Sequence, residues 1–72
     1  MHKDFYKKLG LNIKKFRQER KLTQQQLADK THKGLNFMGK IEVAFSKPRL
    51  DTLVDIADAL GITVSELTNF EQ

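Results

Sequence analysis

Residues 22–43 read LTQQQLADKTHKGLNFMGKIEV, and this stretch decides the fold. It holds two segments of helical pattern, and only two or three residues around His32, Lys33 and Gly34 separate them. Two helices joined by so short a turn must cross steeply, which is the helix-turn-helix arrangement. The sequence therefore predicts this motif near the centre of the chain.

The first helix of the pair carries its own start signal. Thr23 can accept a hydrogen bond from the third helical residue, Gln26, whose side chain can return one. Leu22 can pack against Leu27 as an apolar staple across the same turn. Together these features predict a helix from Gln24 to about Thr31.

The second helix of the pair is expected from Leu35 to Val43. Met38 and Ile41 are three residues apart, and Phe37 and Ile41 are four apart, as on one apolar face of a helix. Ala28 supplies the small side chain that is needed where the two helices touch.

Three further helices are predicted around this pair. A first helix, at about residues 4–20, has an apolar face made of Phe5, Leu9, Ile13 and Phe16. A fourth helix ends at Gly61 and carries the stripe Leu50, Leu53, Ile56, Ala57 and Leu60. Thr63 and Glu66 repeat the capping box and predict a short last helix. The expected fold class is all-α, with five helices.

Composition bounds the class of protein. The 72 residues suffice for a single domain, residues 1–72, whose ends at 1–4 and 71–72 are expected to fray. The absence of cysteine excludes disulfides and thiolate metal sites, and we expect no metal and no cofactor. No apolar run approaches the ~20 residues of a membrane span, and no signal-peptide pattern occurs, so a cytoplasmic protein away from membranes is expected.

Charge is unevenly distributed along the chain. All 13 Lys and Arg residues lie within residues 1–49, whereas residues 50–72 hold five of the nine acidic residues. The first two thirds could therefore meet a polyanion that the last third would repel. The lysines of the first helix could add non-specific attraction, although plain solvation of that helix explains them as well.

Five blocks in fixed order carry a family resemblance that extends from Gly10 to Phe70. They are Ile13–Arg17, Leu22–Ala28, Ile41–Glu42, Pro48–Leu53 and Ile56–Ile62. In these blocks the chain resembles the phage-repressor (Cro/repressor, or XRE-type) helix-turn-helix family. The resemblance implies a compact, lambda-repressor-like DNA-binding domain that regulates transcription as a homodimer on a near-palindromic operator of double-stranded DNA.

The resemblance also indicates which residues meet DNA. In helix-turn-helix proteins the N-terminal part of the second helix of the pair faces the bases, which here points to Leu35, Asn36, Gly39 and Lys40. Asn36 can pair with adenine, Lys40 can donate to guanine, and Leu35 can touch a thymine methyl group. Three alternatives stay open: Leu35 as a core or interface residue, Gly39 as a site of close packing against another helix, and Asn36 and Lys40 as solvated surface.

Phosphate contacts are expected at the edges of the motif. Gln24 lies in the first turn of the first helix of the pair, where free backbone N–H groups favour an anion. Lys33 in the turn, and Ser46 and Lys47 after the third helix, are the other expected phosphate contacts, with plain solvated surface as the open alternative. The resemblance further implies a buried structural ion pair between Arg17 and Glu42.

Three positions depart from the family pattern. His32 and Ala44 stand where Gly is usual, at the turn and at the end of the third helix, and Arg49 stands where Ser or Thr often starts the fourth. His32 is expected at positive φ, which histidine tolerates better than most residues. Ala44 leaves the path of the following loop open.

An enzyme is not expected. The two histidines, His2 and His32, form no suggestive catalytic set with other residues, and the row Asp51, Asp55 and Asp58 is interpreted as a solvated helix face.

The alternatives to a DNA-binding regulator are an antitoxin-type interaction module, which would offer its acidic last third to a partner protein such as a toxin, and an RNA-binding or purely structural module. The last helix and tail are the expected dimer surface, with Phe70 as its best residue, whereas Val64 and Leu67 are expected to pack within the monomer.

Overall fold

The helical pattern becomes five helices in the computed structural model, which describes residues 2–70. They are α1 (Lys3–Glu19), α2 (Gln24–Thr31), α3 (Leu35–Glu42), α4 (Leu50–Leu60) and α5 (Val64–Leu67). Within residues 2–70 there is no strand, and the all-α five-helix prediction is confirmed. The predicted fraying of Met1 and of residues 71–72 falls outside the described residues.

Helix boundaries differ from the predictions by one residue at three places. α1 begins and ends one residue earlier than expected, and α3 ends at Glu42 with Val43 as its C-cap. Residues 3 and 4, expected to fray, form the first turn of α1. Asp4 favours this because a negative charge stabilises the positive end of a helix.

Both predicted capping boxes are present. Thr23 Oγ1 accepts from the backbone N–H of Gln26 at 3.0 Å, and Gln26 Oε1 accepts from the N–H of Thr23 at 2.8 Å. Thr63 and Glu66 make the same reciprocal bonds, each of 3.0 Å. Each box satisfies two backbone groups that a helix start leaves without partners.

Residues in the left-handed backbone conformation stand at the ends of α2, α3 and α4. His32 ends α2 at φ 57°, as predicted, and Gly61 ends α4 at φ 72°. Ala44 adopts φ 64° after α3, so alanine takes the conformation that a glycine would hold there. Lys21 has φ 56° in the loop before α2, which the sequence had not indicated.

The core lies between the helices and is lined from each of them. Its members are Leu9, Ile13, Leu27, Ala28, Met38, Ile41, Leu53, Ile56, Ala57, Leu60 and Leu67. The contacts predicted from Ala28, Met38 and Ile41 are therefore confirmed.

Three apolar residues expected on buried faces are exposed instead. Leu50 is 69% exposed because it opens α4, one turn before that helix meets the core at Leu53. Phe5 is 40% exposed and Phe37 is 37% exposed. The neighbour of Phe5, Tyr6, takes the inner place on α1 and packs against the core.

Close approach of α1 to the end of α3 depends on Gly10. A Cβ atom at this position would lie 2.7 Å from the carbonyl oxygen of Ile41 and nearer still to that of Glu42. Since real side chains do not approach backbone oxygens so closely, Gly10 sets how α3 sits on α1. None of the helices in the part of the chain described is long and apolar enough to cross a bilayer.

Candidate nucleic-acid interface

One face of α3 is left free by the packing of the other. Met38, Ile41 and Glu42 are buried, and at about 100° per residue the positions opposite them are Asn36 and Lys40. Both of these side chains are exposed. α3 therefore projects an amide and an ammonium group away from the core, while its other face holds it to α1 and α2.

Leu35 and Gly39 lie on the flank of α3 that faces α2. Leu35 is 43% exposed, so it is not a core residue. A Cβ atom on Gly39 would meet the side chain of Gln24, with Oε1 at 3.5 Å, which is an ordinary contact. The neighbour of Gly39 is thus a flexible side chain, and this does not support close helix packing as the reason for glycine.

Sequence reasoning missed the exposed apolar residues beside this face. Val43, at the end of α3, is 73% exposed, and Phe45, in the following loop, is 78% exposed. The ammonium nitrogen of Lys40 lies 5.8 Å from the centroid of the Phe45 ring. A cation over an aromatic face is weakly attracted to it, so Phe45 helps to orient Lys40.

Arg17 and Glu42 form a buried, two-pronged ion pair. Arg17 Nε donates to Glu42 Oε2 at 2.7 Å, and Arg17 Nη2 donates to Glu42 Oε1 at 3.1 Å. Arg17 Nη1 also donates to the carbonyl oxygen of Leu22 at 2.7 Å. The pair joins α1 to α3 and fixes the loop that leads into α2.

Gln24 is attached to this ion pair. Its Nε2 donates to Glu42 Oε1 at 3.0 Å, a contact that sequence spacing did not indicate. Because Nε2 carries two hydrogens, one N–H remains available to an outside acceptor. Gln24, at the first position of α2, is therefore held in place by a buried carboxylate of α3.

The remaining phosphate-contact predictions fall in two places. Lys33, in the turn, lies 3.6 Å from a carboxylate oxygen of Asp55 on α4, which partly engages its charge. Lys47 is exposed and its ammonium nitrogen lies 5.7 Å from the ring centroid of Tyr6 on α1. Ser46 is half-buried, and its backbone N–H donates to the carbonyl oxygen of Lys40 at 3.2 Å.

Known proteins share this arrangement of helices. A helix-turn-helix family model matches residues 13–67. The chain is 44% identical over 63 residues, 88% of its own length, to an immunity repressor protein of Bacillus phage phi105. The chain belongs to the phage-repressor (XRE-type) helix-turn-helix family. This helix-turn-helix chain spans 44% of the length of that phage repressor.

Solved structures of helix-turn-helix proteins have the same fold as this chain. The restriction-modification controller protein C.AhdI from Aeromonas hydrophila superposes with a TM-score of 0.84 at 26% identity, over 86% of this chain and 94% of that one. A helix-turn-helix transcriptional regulator from Vibrio cholerae superposes with a TM-score of 0.87 at 27% identity, over 93% of this chain and 38% of that one. These relatives are an immunity repressor, a restriction-modification controller protein and a transcriptional regulator, which agrees with DNA-binding regulation of transcription by this family.

Proposed function

We propose that this helix-turn-helix chain binds a near-palindromic operator in duplex DNA as a homodimer, with α3 in the major groove, and so regulates transcription in the bacterial cytoplasm. The observation that carries the proposal is the free face of α3, which presents Asn36 and Lys40 opposite a buried face. Neither side chain is used in the core, so both are available to base edges.

Base reading follows from the chemistry of this face. Asn36 offers a donor and an acceptor, the pattern that adenine presents in the major groove, and Lys40 offers donors to guanine. Leu35, being partly exposed on the same helix, can meet a thymine methyl group. Gly39 lets the helix approach the bases closely because it carries no side chain.

Phosphate contacts fix the register of α3 on the duplex. We assign them to Gln24, Lys33, Ser46 and Lys47; of the two lysines, Lys47 is the stronger contact because the charge of Lys33 is shared with Asp55. Contacts of this kind supply affinity without reading sequence. Base contacts and phosphate contacts thus come from different elements of the fold.

A homodimer is proposed because one helix in one groove reads few bases. Two half-sites about one helical turn apart double the sequence that is read. Leu67 is buried and Phe70 is half-buried, with its ring centroid 5.4 Å from that of Phe5. The exposed parts of Phe5 and Phe70 are the apolar surface that we assign to the partner copy.

Selection of bound duplexes from a random pool tests the proposal. We expect an enriched near-palindrome, which binds far more tightly than one of its half-sites, and a complex of two chains per duplex by sedimentation. Equal binding of all duplexes would refute sequence-specific recognition. The acidic face of α4 would then favour the alternative, a module that binds a basic partner protein.

A further inference from the structure

Two lysines of α1 share a groove with Gln24. The groove has a volume of about 280 Å³, and its lining residues are Lys7, Leu11, Lys14, Gln24, Glu42 and Val43. Lys7 and Lys14 are exposed and are seven residues apart, so they lie on one side of α1, about 10 Å apart along its axis. Glu42 does not offset their charge, since Arg17 already pairs with it.

A second groove continues from the first. Lys7 and Val43 line both of them, and the second is also lined by Lys3 and Lys47. The two grooves therefore adjoin at Lys7 and Val43, with Gln24 lining the first and Lys47 lining the second, and both of these residues are proposed phosphate contacts. Lys7 lies between these two residues.

The charge along this course is mainly positive. Among residues 2–70, none of the ammonium groups of Lys3, Lys7, Lys14 and Lys47 forms an ion pair, whereas Lys33 pairs with Asp55. Among the described residues 2–70, the second groove is lined by three lysines and by a single acidic residue, Asp4. Unpaired ammonium groups in a row can each replace a counterion on a polyanion.

We propose that Lys3, Lys7, Lys14 and Lys47 form a basic strip that follows the phosphates of one DNA strand between Lys47 and Gln24. This inference rests on the proposed function and adds α1 to the surface that meets DNA. The strip lies beside the end of α3, and we expect a strand that borders the major groove occupied by α3 to pass over it. Lys7 and Lys14 are then phosphate-contacting residues rather than solvated surface.

α1 also offers a matched control. Lys8 and Lys15 have the same spacing, but they line a different groove together with Phe16, Glu66 and Phe70. They are displaced from Lys7 and Lys14 by one residue, or about 100° around the helix. Loss of either pair changes the net charge of the chain by the same amount.

The experiment compares K7Q/K14Q with K8Q/K15Q, each binding the operator selected from the random pool and a scrambled duplex between 50 and 200 mM salt. Each lost phosphate contact should lower the slope of log affinity against log salt by about 0.9. For K7Q/K14Q we expect a slope lower by nearly two and an affinity loss equal on both duplexes. Over this salt range wild type should lose about tenfold more affinity than the variant.

The controls separate the strip from total charge and from folding. On the scrambled duplex K8Q/K15Q should keep nearly the wild-type slope, because Lys8 and Lys15 line the groove on the Phe70 side of α1, outside the strip. K7R/K14R should also keep it, and all variants should melt like wild type. Equal slopes for K7Q/K14Q and K8Q/K15Q would overturn the strip while leaving the proposed function intact. A wild type that prefers no duplex would overturn both.

Discussion

Nε2 of Gln24 donates a 3.0 Å hydrogen bond to Oε1 of Glu42, the same oxygen that accepts from Nη2 of Arg17. A proposed phosphate-contacting side chain therefore shares its acceptor with the buried ion pair of the fold. Positioning of Gln24 on DNA and stability of the domain consequently depend on one carboxylate.

Arg17→Met should destabilise the domain severely. The substitution leaves the carboxylate of Glu42 buried without its partner, which typically costs about 3–5 kcal/mol. Since small domains have about 5–15 kcal/mol in total, the melting temperature should fall far below that of wild type. In thermal unfolding, R17M/E42L should recover much of the loss, and an R17M variant that melts like wild type would refute the role of the pair.

Gly10→Ala should disrupt the packing of α1 on α3. The added methyl group would meet the backbone oxygens of Ile41 and Glu42, which cannot move as the end of a flexible side chain can. Overpacking of this kind typically costs about 1–3 kcal/mol in unfolding free energy. Gly39→Ala is the matched control, because Gly39 also lies inside a helix and a Cβ atom there makes only an ordinary contact of 3.5 Å with Gln24. Equal denaturation midpoints for the two variants would contradict this account of Gly10.

Gly39→Ala should affect folding and binding in opposite directions. The methyl group makes an ordinary contact with Gln24, and alanine is favoured over glycine inside a helix by about 1 kcal/mol. The unfolding free energy should therefore rise by up to that amount, while affinity for operator DNA falls because α3 can no longer approach the bases as closely. Unchanged affinity in a titration with the operator would show that α3 does not depend on Gly39 for its approach.

His32→Gly and Ala44→Gly should leave stability unchanged or raise it by some tenths of a kcal/mol. Both positions have φ near 60°, where a Cβ atom is strained, and glycine relieves that strain at the cost of a more flexible unfolded chain. Gly61→Ala, at φ 72°, is the reverse change and should lower the unfolding free energy. Chemical denaturation of the three variants gives the signs, and a clear loss for His32→Gly would reveal a contact of the imidazole.

Asn36→Ala and Lys40→Ala should impair discrimination, whereas Gln24→Ala should not. Loss of a base contact costs about 1–3 kcal/mol on the preferred operator and relaxes the choice at one position. Loss of Gln24 should weaken operator and scrambled duplex alike, with almost no change in salt slope because the side chain is neutral. If Asn36→Ala and Lys40→Ala weakened both duplexes equally, α3 would not be the reading helix.

Local signals were enough to predict most of the helices. Both capping boxes act within four residues, and the left-handed end of α2 at His32 is a property of one residue and its neighbours. Sequence patterns report such interactions directly. The boundaries of α2 and the start of α5 could therefore be predicted from the sequence.

Contacts between distant residues were not predictable in the same way. Asn12 Nδ2 donates to the carbonyl oxygen of Leu67 at 2.8 Å, and Arg20 Nε donates to that of Leu60 at the end of α4. Both acceptors are backbone atoms, which leave no mark on residue identity at their own position. The same holds for Gly10, whose partners are carbonyl oxygens of α3.

The proposed DNA surface was predictable in part. The outward direction of Asn36 and Lys40 follows from the periodicity of α3, because Met38 and Ile41 fix the buried side. The grooves that join Lys7 and Lys14 to Gln24 depend on how α1 lies against α2 and α3, and no spacing along α1 indicates this. The exposure of Phe5 and Leu50 was missed because helical periodicity does not show where a helix leaves the core.

The separation of the two faces of α3 has a consequence for how such a protein can change over time. Within residues 2–70 the side chains of Asn36 and Lys40 take part in no hydrogen bond or ion pair of the folded chain. Substitutions at these two positions can therefore accumulate with little loss of stability. At such surface sites the unfolding free energy usually changes by less than about 0.5 kcal/mol. A duplicated copy of this chain could acquire a different operator by exchanging two side chains, and the two copies would then control separate sets of genes on one scaffold.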